Sequence, residues 1–143
     1  MTAQSNSSTK RQILVVDDNL EFFETLVDYL NDQTSYQIVH VKSGKLALDY
    51  LRTGHRSVVG VLSDIMMSGG DGIDLLAQIR QSPDFARLPL IFISGSDVSM
   101  FASLLKPYQY SAFVKKPADF NKLLLLIEHH FGKPSRQSGR VAA

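Results

Sequence analysis

The stretch ILVVDDNLEFFETLVDYL, residues 13–30, changes from one structural pattern to another at two adjacent aspartates. Its first four residues are all apolar and mostly β-branched, which is typical of a strand buried on both faces of a parallel sheet. After Asp17, Asp18 and Asn19, apolar residues recur at helical spacing from Leu20 to Leu30, which predicts an amphipathic helix. The stretch is therefore interpreted as a strand followed directly by a helix.

The same order of strand, loop and helix continues along the chain. Further strands are predicted at Tyr36–Val41, Val58–Leu62, Leu90–Ile93 and Ala112–Val114. Ser43 opens the second helix, Asp97 caps the fourth, and Gly132 ends the fifth. Five strands alternating with five helices predict an α/β fold, a doubly wound five-stranded parallel sheet in the flavodoxin-like order 2-1-3-4-5.

The composition is that of one globular domain and excludes several classes of protein. The chain has 143 residues, 44% of them apolar and 20% charged, as expected for one globular domain. It has no cysteine, which excludes disulfides, thiolate zinc sites and cysteine nucleophiles. No apolar run reaches membrane-spanning length, and the polar start lacks a signal peptide's apolar segment. We therefore expect a cytoplasmic protein that makes no membrane contact.

The charges are unevenly distributed. Residues 1–12 and 132–143 hold five basic residues and no acidic one, which leaves ten basic against fourteen acidic residues in 13–131. The first segment is predicted to be a disordered tail, the last a flexible tail, and 13–131 the folded domain. An acidic domain of this kind disfavours direct nucleic-acid binding.

Chemically active side chains follow four of the predicted strands. Asp17 and Asp18 follow the first, Asp64 the third, Ser94 the fourth and Lys116 the fifth. In the assumed strand order these ends meet at the switch point where open α/β sheets bind ligands. Three carboxylates crowded together repel unless a cation joins them, and oxygen ligands with waters suit Mg²⁺.

Metal, lysine and hydroxyl together describe a site for phosphoryl transfer. Lys116 supplies a positive charge for a phosphoryl oxygen, and a carboxylate can accept the group as an aspartyl-phosphate. Asp64 is the candidate nucleophile because its strand neighbours the one that carries the metal pair. Each residue alone is explained by helix capping or an ordinary turn, but their joint placement favours the phosphoryl site.

Four segments carry a family resemblance: ILVVDDN (13–19), LSDIMMSGGDG (62–72), IFISGS (91–96) and FVKKP (113–117). They resemble, in order and approximate spacing, the signatures of the response-regulator receiver domain of two-component signalling. The resemblance covers about residues 13–131, and Gly72, eight positions after Asp64, also fits it.

The resemblance implies a role for each site residue. Asp64 would be the phosphoacceptor. Asp18 would bind Mg²⁺ directly together with Asp64 and the backbone carbonyl of Met66, while Asp17 would act largely through water. The donor would be a phosphohistidine on a sensor histidine kinase or a histidine phosphotransfer protein, or a small acyl phosphate.

The resemblance also implies a switch. Ser94 would bond the phosphoryl group, Lys116 would pair with it, and the ring of Phe113 would move into the space that Ser94 vacates. Simple core packing of Phe113 is an equal alternative. The sequence departs from the family at Ser68, where proline is common, and the following Gly69-Gly70 predicts a more mobile loop.

Output is expected through an unidentified partner protein, because only a dozen residues follow the last predicted helix. The face made by the fourth helix, fifth strand and fifth helix would change on phosphorylation. An apolar patch is considered there at Phe101, Leu105, Tyr108 and Tyr110, against the alternative of scattered surface aromatics. Weak homodimerisation through this face stays open.

Two other functions remain as alternatives. One is a receiver-like module that binds a partner constitutively. The other is a small aspartyl-phosphate phosphatase of the haloacid dehalogenase type, but that family places its nucleophile after the first strand as Asp-x-Asp and usually carries a cap domain. The adjacent Asp17-Asp18 pair and the short chain favour a switch that is not an enzyme.

Overall fold

The computed structural model describes residues 10–67 and 71–132. Its strands form one parallel sheet in the order β2-β1-β3-β4-β5, which confirms the predicted topology. The strands are β1 (Gln12–Val16), β2 (Gln37–Val41), β3 (Val58–Ser63), β4 (Leu90–Ser94) and β5 (Ala112–Lys115).

Five α-helices connect or follow these strands, as predicted. They are α1 (Leu20–Gln33), α2 (Gly44–Gly54), α3 (Gly72–Gln81), α4 (Ala102–Leu105) and α5 (Phe120–Phe131), with 3₁₀ turns at His55–Ser57 and Val98–Phe101. Within the described residues, no helix is both long and apolar enough to cross a bilayer.

The core forms two layers, one on each face of the sheet. In β1, Leu14 and Val16 pack with α2, α3 and α4, whereas Ile13 and Val15 pack with α1 and α5. Successive side chains of a strand point to opposite faces, so a strand covered on both sides has to be apolar throughout. This arrangement explains the unbroken apolar run at residues 13–16.

Side chains between strand and helix fix where several helices begin. The Asn19 carboxamide oxygen accepts a hydrogen bond from the Phe22 backbone N–H at 3.1 Å, and the Ser43 hydroxyl accepts from Leu46 N–H at 3.2 Å. Each cap satisfies an N–H that the first turn leaves unpaired. The predicted opening of α2 by Ser43 is thereby confirmed.

The prediction at Asp97 is wrong. Its side chain makes no capping hydrogen bond, and the chain first forms a 3₁₀ turn before the single turn of α4. The carboxylate instead pairs with Lys115 Nζ at 2.8 Å. An ion pair with a strand eighteen positions away competes with the local cap, and sequence spacing does not reveal it.

The apolar patch considered for the output face is also wrong in part. Phe101 and Leu105 are buried in the core, and Tyr108 and Tyr110 are partly buried against it. The large apolar side chains of this region that are exposed are Val98, Met100 and Leu104. Phe101 and Leu105 are four positions apart, and both pack into the core on one side of the sheet.

The boundary of the first strand differs slightly from the prediction. Gln12 belongs to β1, and the backbone N–H of Gln37 donates to the Arg11 carbonyl at 2.9 Å. Pairing of the sheet therefore begins inside the segment predicted as a tail. Residues 1–9, the segment 133–143 and the loop residues Ser68-Gly69-Gly70 lie outside the described residues.

Candidate functional site

The ends of two central strands position two acids of the site, Asp17 and Asp64. Val16 of β1 pairs with Ser63 of β3, and the Asp64 N–H donates to the Val16 carbonyl at 3.0 Å. On the other side of β1, the Asp17 N–H donates to the Val41 carbonyl at 3.2 Å. The sheet's hydrogen bonding thus continues one residue past the strands and holds Asp17 and Asp64 at the same edge.

Lys116 joins these two acids. Its Nζ lies 3.1 Å from Asp17 Oδ2 and 3.3 Å from Asp64 Oδ2. The lysine side chain is 17% exposed, that of Asp17 4% and that of Asp64 12%. Lys116 N–H donates to the Ser94 carbonyl at 2.7 Å, so the end of β4 positions the backbone that carries the ammonium. Three residues from three strands therefore meet as predicted.

The remaining carboxylate oxygens are also bound. Asp17 Oδ1 accepts from the Asn19 N–H and Asp64 Oδ1 from the Ile65 N–H, both at 2.7 Å. One oxygen of each carboxylate is therefore held by the backbone while the other faces Lys116. These contacts restrict the rotation of both carboxylates, and such pre-orientation is what a reacting group requires.

A histidine that no sequence pattern singled out contacts the backbone of Asp17. His40 Nε2 lies 2.7 Å from the Asp17 carbonyl oxygen, to which it donates in the Nε2–H tautomer. The imidazole stacks on Phe23 with ring centroids 3.6 Å apart. His40 lies on β2, where nothing in the strand pattern distinguishes it from an ordinary partly buried residue.

The electrostatic balance at Asp64 favours the protonated form relative to a free aspartate. Burial raises the pKa of the Asp64 carboxyl most strongly, Lys116 lowers it, and the charge of Asp17 raises it. Desolvation of the carboxylate thus outweighs the single ammonium nearby. A further cation at this site would stabilise the charged form.

The other predicted site residues differ in how far they are exposed. Asp18 and Met66 are exposed. Ser94 is buried, and its hydroxyl accepts from the Ser96 N–H at 3.2 Å. Phe113 is partly buried, with its ring centroid 6.4 Å from that of Phe92.

Gly72 allows the backbone after Asp64 to pack against α3. Its N–H donates to the Ile65 carbonyl at 2.6 Å, and an added Cβ would lie 2.1 Å from the Asp64 carbonyl oxygen. This close approach, rather than an unusual backbone angle, explains the glycine that the sequence places eight positions after Asp64.

The acidic side chains at this edge of the sheet are the candidate ligands for a divalent cation. No group of three or more His, Cys, Asp or Glu side chains in residues 10–67 and 71–132 is arranged to hold a metal ion. However, the Asp17 and Asp64 carboxylates already share one cation, the Lys116 ammonium, and the exposed Asp18 is the adjacent residue. The chemistry of these all-oxygen ligands fits Mg²⁺.

A family model for the response regulator receiver domain matches residues 13–128. The chain belongs to this family. A crystal structure of a response regulator receiver protein from Pseudomonas putida is 31% identical, with a TM-score of 0.76 over 84% of this chain and 97% of that one.

Curated relatives of this receiver domain are longer proteins. The phosphoglycerate transport system transcriptional regulatory protein PgtA of Salmonella typhimurium is 32% identical over 117 residues, which are 81% of this chain and 27% of PgtA. Response regulator Rre1 of Synechocystis is 28% identical over 128 residues, 88% of this chain and 54% of Rre1. The chain therefore spans about a quarter of the length of PgtA and about half of the length of Rre1.

Membership of the family establishes the general role. Receiver domains of two-component response regulators act in phosphorylation-dependent signalling and are typically switches rather than enzymes. They interact with sensor kinases or phosphotransfer proteins, and they generally use Mg²⁺ for phosphorylation.

Proposed function

We propose that Asp64 accepts a phosphoryl group from the phosphohistidine of a sensor histidine kinase or a histidine phosphotransfer protein. The observation that carries the proposal is the placement of Lys116, whose ammonium lies 3.3 Å from Asp64 Oδ2 and 3.1 Å from Asp17 Oδ2. A partly buried carboxylate beside a fixed positive charge suits nucleophilic attack on an anionic phosphoryl group.

In the reaction, one Asp64 carboxylate oxygen forms a bond to phosphorus while the nitrogen–phosphorus bond of the donor breaks. The departing imidazole nitrogen keeps that electron pair and takes a proton from solvent. Attack brings the Asp64 carboxylate against phosphoryl oxygens of the same sign, so positive charge must offset the repulsion. Lys116 supplies one such charge from within hydrogen-bond distance of Asp64.

Asp17, Asp18, Asp64 and the backbone carbonyl of Met66 would hold the Mg²⁺ ion. When bound, the ion would neutralise negative charge on the phosphoryl oxygens. Asp17 is fixed for this task by the Asn19 N–H on its carboxylate.

The phosphorylated site would then act on the face formed by α4, β5 and α5. Ser94 is buried beside the Lys116 backbone, and Phe113 on β5 lies partly buried against the core. Bonding of the Ser94 hydroxyl to the phosphoryl group would open space for the Phe113 ring and change the surface around β5. An unidentified downstream protein would recognise that surface.

A contact at the edge of β5 supports this coupling. Lys115, next to Lys116, pairs with Asp97 at the start of the turn leading into α4. Both side chains are more than half exposed, so the pair contributes little to stability. The pair nevertheless connects Lys115 to the turn that leads into α4. The distance between Lys115 and Asp97 should therefore change when the Lys116 backbone shifts.

Intact-mass measurement after incubation with acetyl phosphate and Mg²⁺ tests the phosphoacceptor. We expect one phosphoryl increment that requires Mg²⁺ and is absent from Asp64→Asn. Asp49→Asn is the matched control, since Asp49 is exposed on α2 and pairs only with Arg52 in the described structure; it should label like wild type. Labelling of Asp64→Asn at the wild-type level would overturn the assignment of Asp64.

A further inference from the structure

An aromatic ring covers the ammonium of Lys116. Nζ lies 4.4 Å from the ring centroid of Phe22, within the range of a cation–π contact. Phe22 lies in the first turn of α1, and its backbone N–H is held by the Asn19 cap at 3.1 Å. The ring is therefore carried by a helix end whose position is fixed relative to Asp17.

The Phe22 ring is itself supported by α5. Its centroid lies 6.1 Å from that of Phe120, edge to face with an interplanar angle of 73°. The ring centroid of Phe120 in turn lies 5.2 Å from that of Tyr29. The Tyr29 hydroxyl donates a hydrogen bond to Asn121 Oδ1 at 2.8 Å. Edge-to-face packing of this kind restricts ring movement, so the aromatic partner of Lys116 has a defined place.

We propose that Phe22 is a positioning residue for Lys116 during phosphorylation of Asp64, an inference that rests on the function proposed above. The ammonium has two carboxylate oxygens and one aromatic face as its partners. To stabilise the incoming phosphoryl group, it has to release a carboxylate oxygen and turn towards a phosphoryl oxygen. Its remaining partner determines how far it moves from the site.

An aromatic ring suits this position better than a polar partner would during phosphorylation of Asp64. A third carboxylate would compete with the phosphoryl group for the ammonium, and water would let the flexible lysine chain move out into solvent. The ring attracts the cation through its π-face and offers no lone pair that would compete for the ammonium as a carboxylate does. Phe22 therefore keeps the ammonium beside Asp64 and leaves its N–H donors available.

Phosphorylation kinetics with acetyl phosphate and Mg²⁺ separate positioning from binding. Phe22→Leu keeps apolar volume and loses the π-face, so we expect the maximal rate constant to fall about three- to tenfold. The apparent KM for acetyl phosphate should stay within about twofold, because the ring does not contact the donor. Phe22→Tyr and Phe22→Trp restore a π-face and should approach the wild-type rate.

Phe85→Leu is the matched control for loss of a partly buried ring. Phe85 packs against the core near His55, away from the site, and its replacement should leave the maximal rate unchanged. A wild-type rate in Phe22→Leu would overturn the inference. So would an equal loss in Phe22→Tyr, since packing would then explain the effect. If Phe22→Leu fails to fold, Phe22→Met is used in its place.

Failure of the proposed function is distinguishable by a second measurement. If wild type is not phosphorylated, the proton resonances of the Lys116 ε-methylene group still report the contact. Above an aromatic face they should be shifted upfield in wild type and return towards free lysine values in Phe22→Leu. Absence of the upfield shift in wild type would contradict the cation–π contact and overturn the inference.

Discussion

Replacement of Gly72 by alanine places a methyl group against the backbone of the phosphoacceptor segment. The added Cβ would lie 2.1 Å from the Asp64 carbonyl oxygen and 3.1 Å from both the Asp64 carbonyl carbon and the Ile65 Cα. These are backbone atoms, which cannot rotate away as the end of a side chain can. An ordinary contact needs roughly 3.5 Å, so the two segments must separate by more than about 1 Å.

The existing hydrogen bond resists that separation. Gly72 N–H donates to the Ile65 carbonyl at 2.6 Å, and Asp64 is held by Lys116 and by the Val16 carbonyl. Overpacking of a tight site costs about 1–3 kcal/mol, and we expect Gly72→Ala to lose that much unfolding free energy. Because the displaced atoms belong to Asp64, the rate of phosphorylation should fall as well.

Urea unfolding in the presence of EDTA measures the change in free energy, and acetyl phosphate labelling measures the rate. Gly95→Ala is the matched control for stability, since no atom lies within 4 Å of the Cβ it would add; its unfolding free energy should change by less than about 0.5 kcal/mol. A Gly72→Ala protein as stable as wild type would refute the steric argument, as would an equal loss in Gly95→Ala.

Three further predictions concern polar side chains with little solvent exposure. Burial raises the pKa of Asp64, so without metal the native state binds this proton more tightly than the unfolded state does. The stability of the native state therefore falls as the pH rises through that pKa. Asp64→Asn should raise the Tm in EDTA near about pH 8 and lose this advantage below about pH 3.9, and an equal gain at both pH values would contradict the linkage. The Tyr36 hydroxyl is buried without a hydrogen-bond partner in the described structure. In urea unfolding, Tyr36→Phe should leave the unfolding free energy unchanged or raise it by about 1 kcal/mol. A loss of about 1 kcal/mol would indicate that the hydroxyl has a hydrogen-bond partner. Lys116→Ala should bind Mg²⁺ with unchanged affinity in a magnesium titration, but phosphorylation should no longer change the α4–β5–α5 face. A loss of Mg²⁺ affinity as large as that of Asp18→Ala would contradict this division of roles.

The central part of the fold could be predicted because its signals are local. Apolar runs bounded by polar residues located β1, β3 and β4 to within a residue, and the carboxyl ends of parallel strands necessarily share one edge. Together with the assumed strand order, that constraint predicted that Asp17, Asp64 and Lys116 lie close together. The ion pairs of Lys116 with both carboxylates came from the structure.

Features that depend on distant partners were not predictable. The ion pair of Asp97 with Lys115 displaced an expected helix cap. Burial of Phe101 depended on how the 3₁₀ turn before α4 packs on the core. Likewise, the contact of Phe22 with Lys116 joins residues 94 positions apart. Helical spacing places Phe22 on an amphipathic helix but does not specify which side chain its ring will cover.

Backbone amide NMR with beryllofluoride, a phosphoryl analogue, tests the central claim most directly. In the presence of Mg²⁺ we expect changes at Asp64 and Lys116 together with changes at Phe113 on β5 and along α4, and none of these in Asp64→Asn. This result would show that occupancy of one carboxylate alters the proposed output face. Changes confined to the loops around Asp64, or the same changes in Asp64→Asn, would contradict the account.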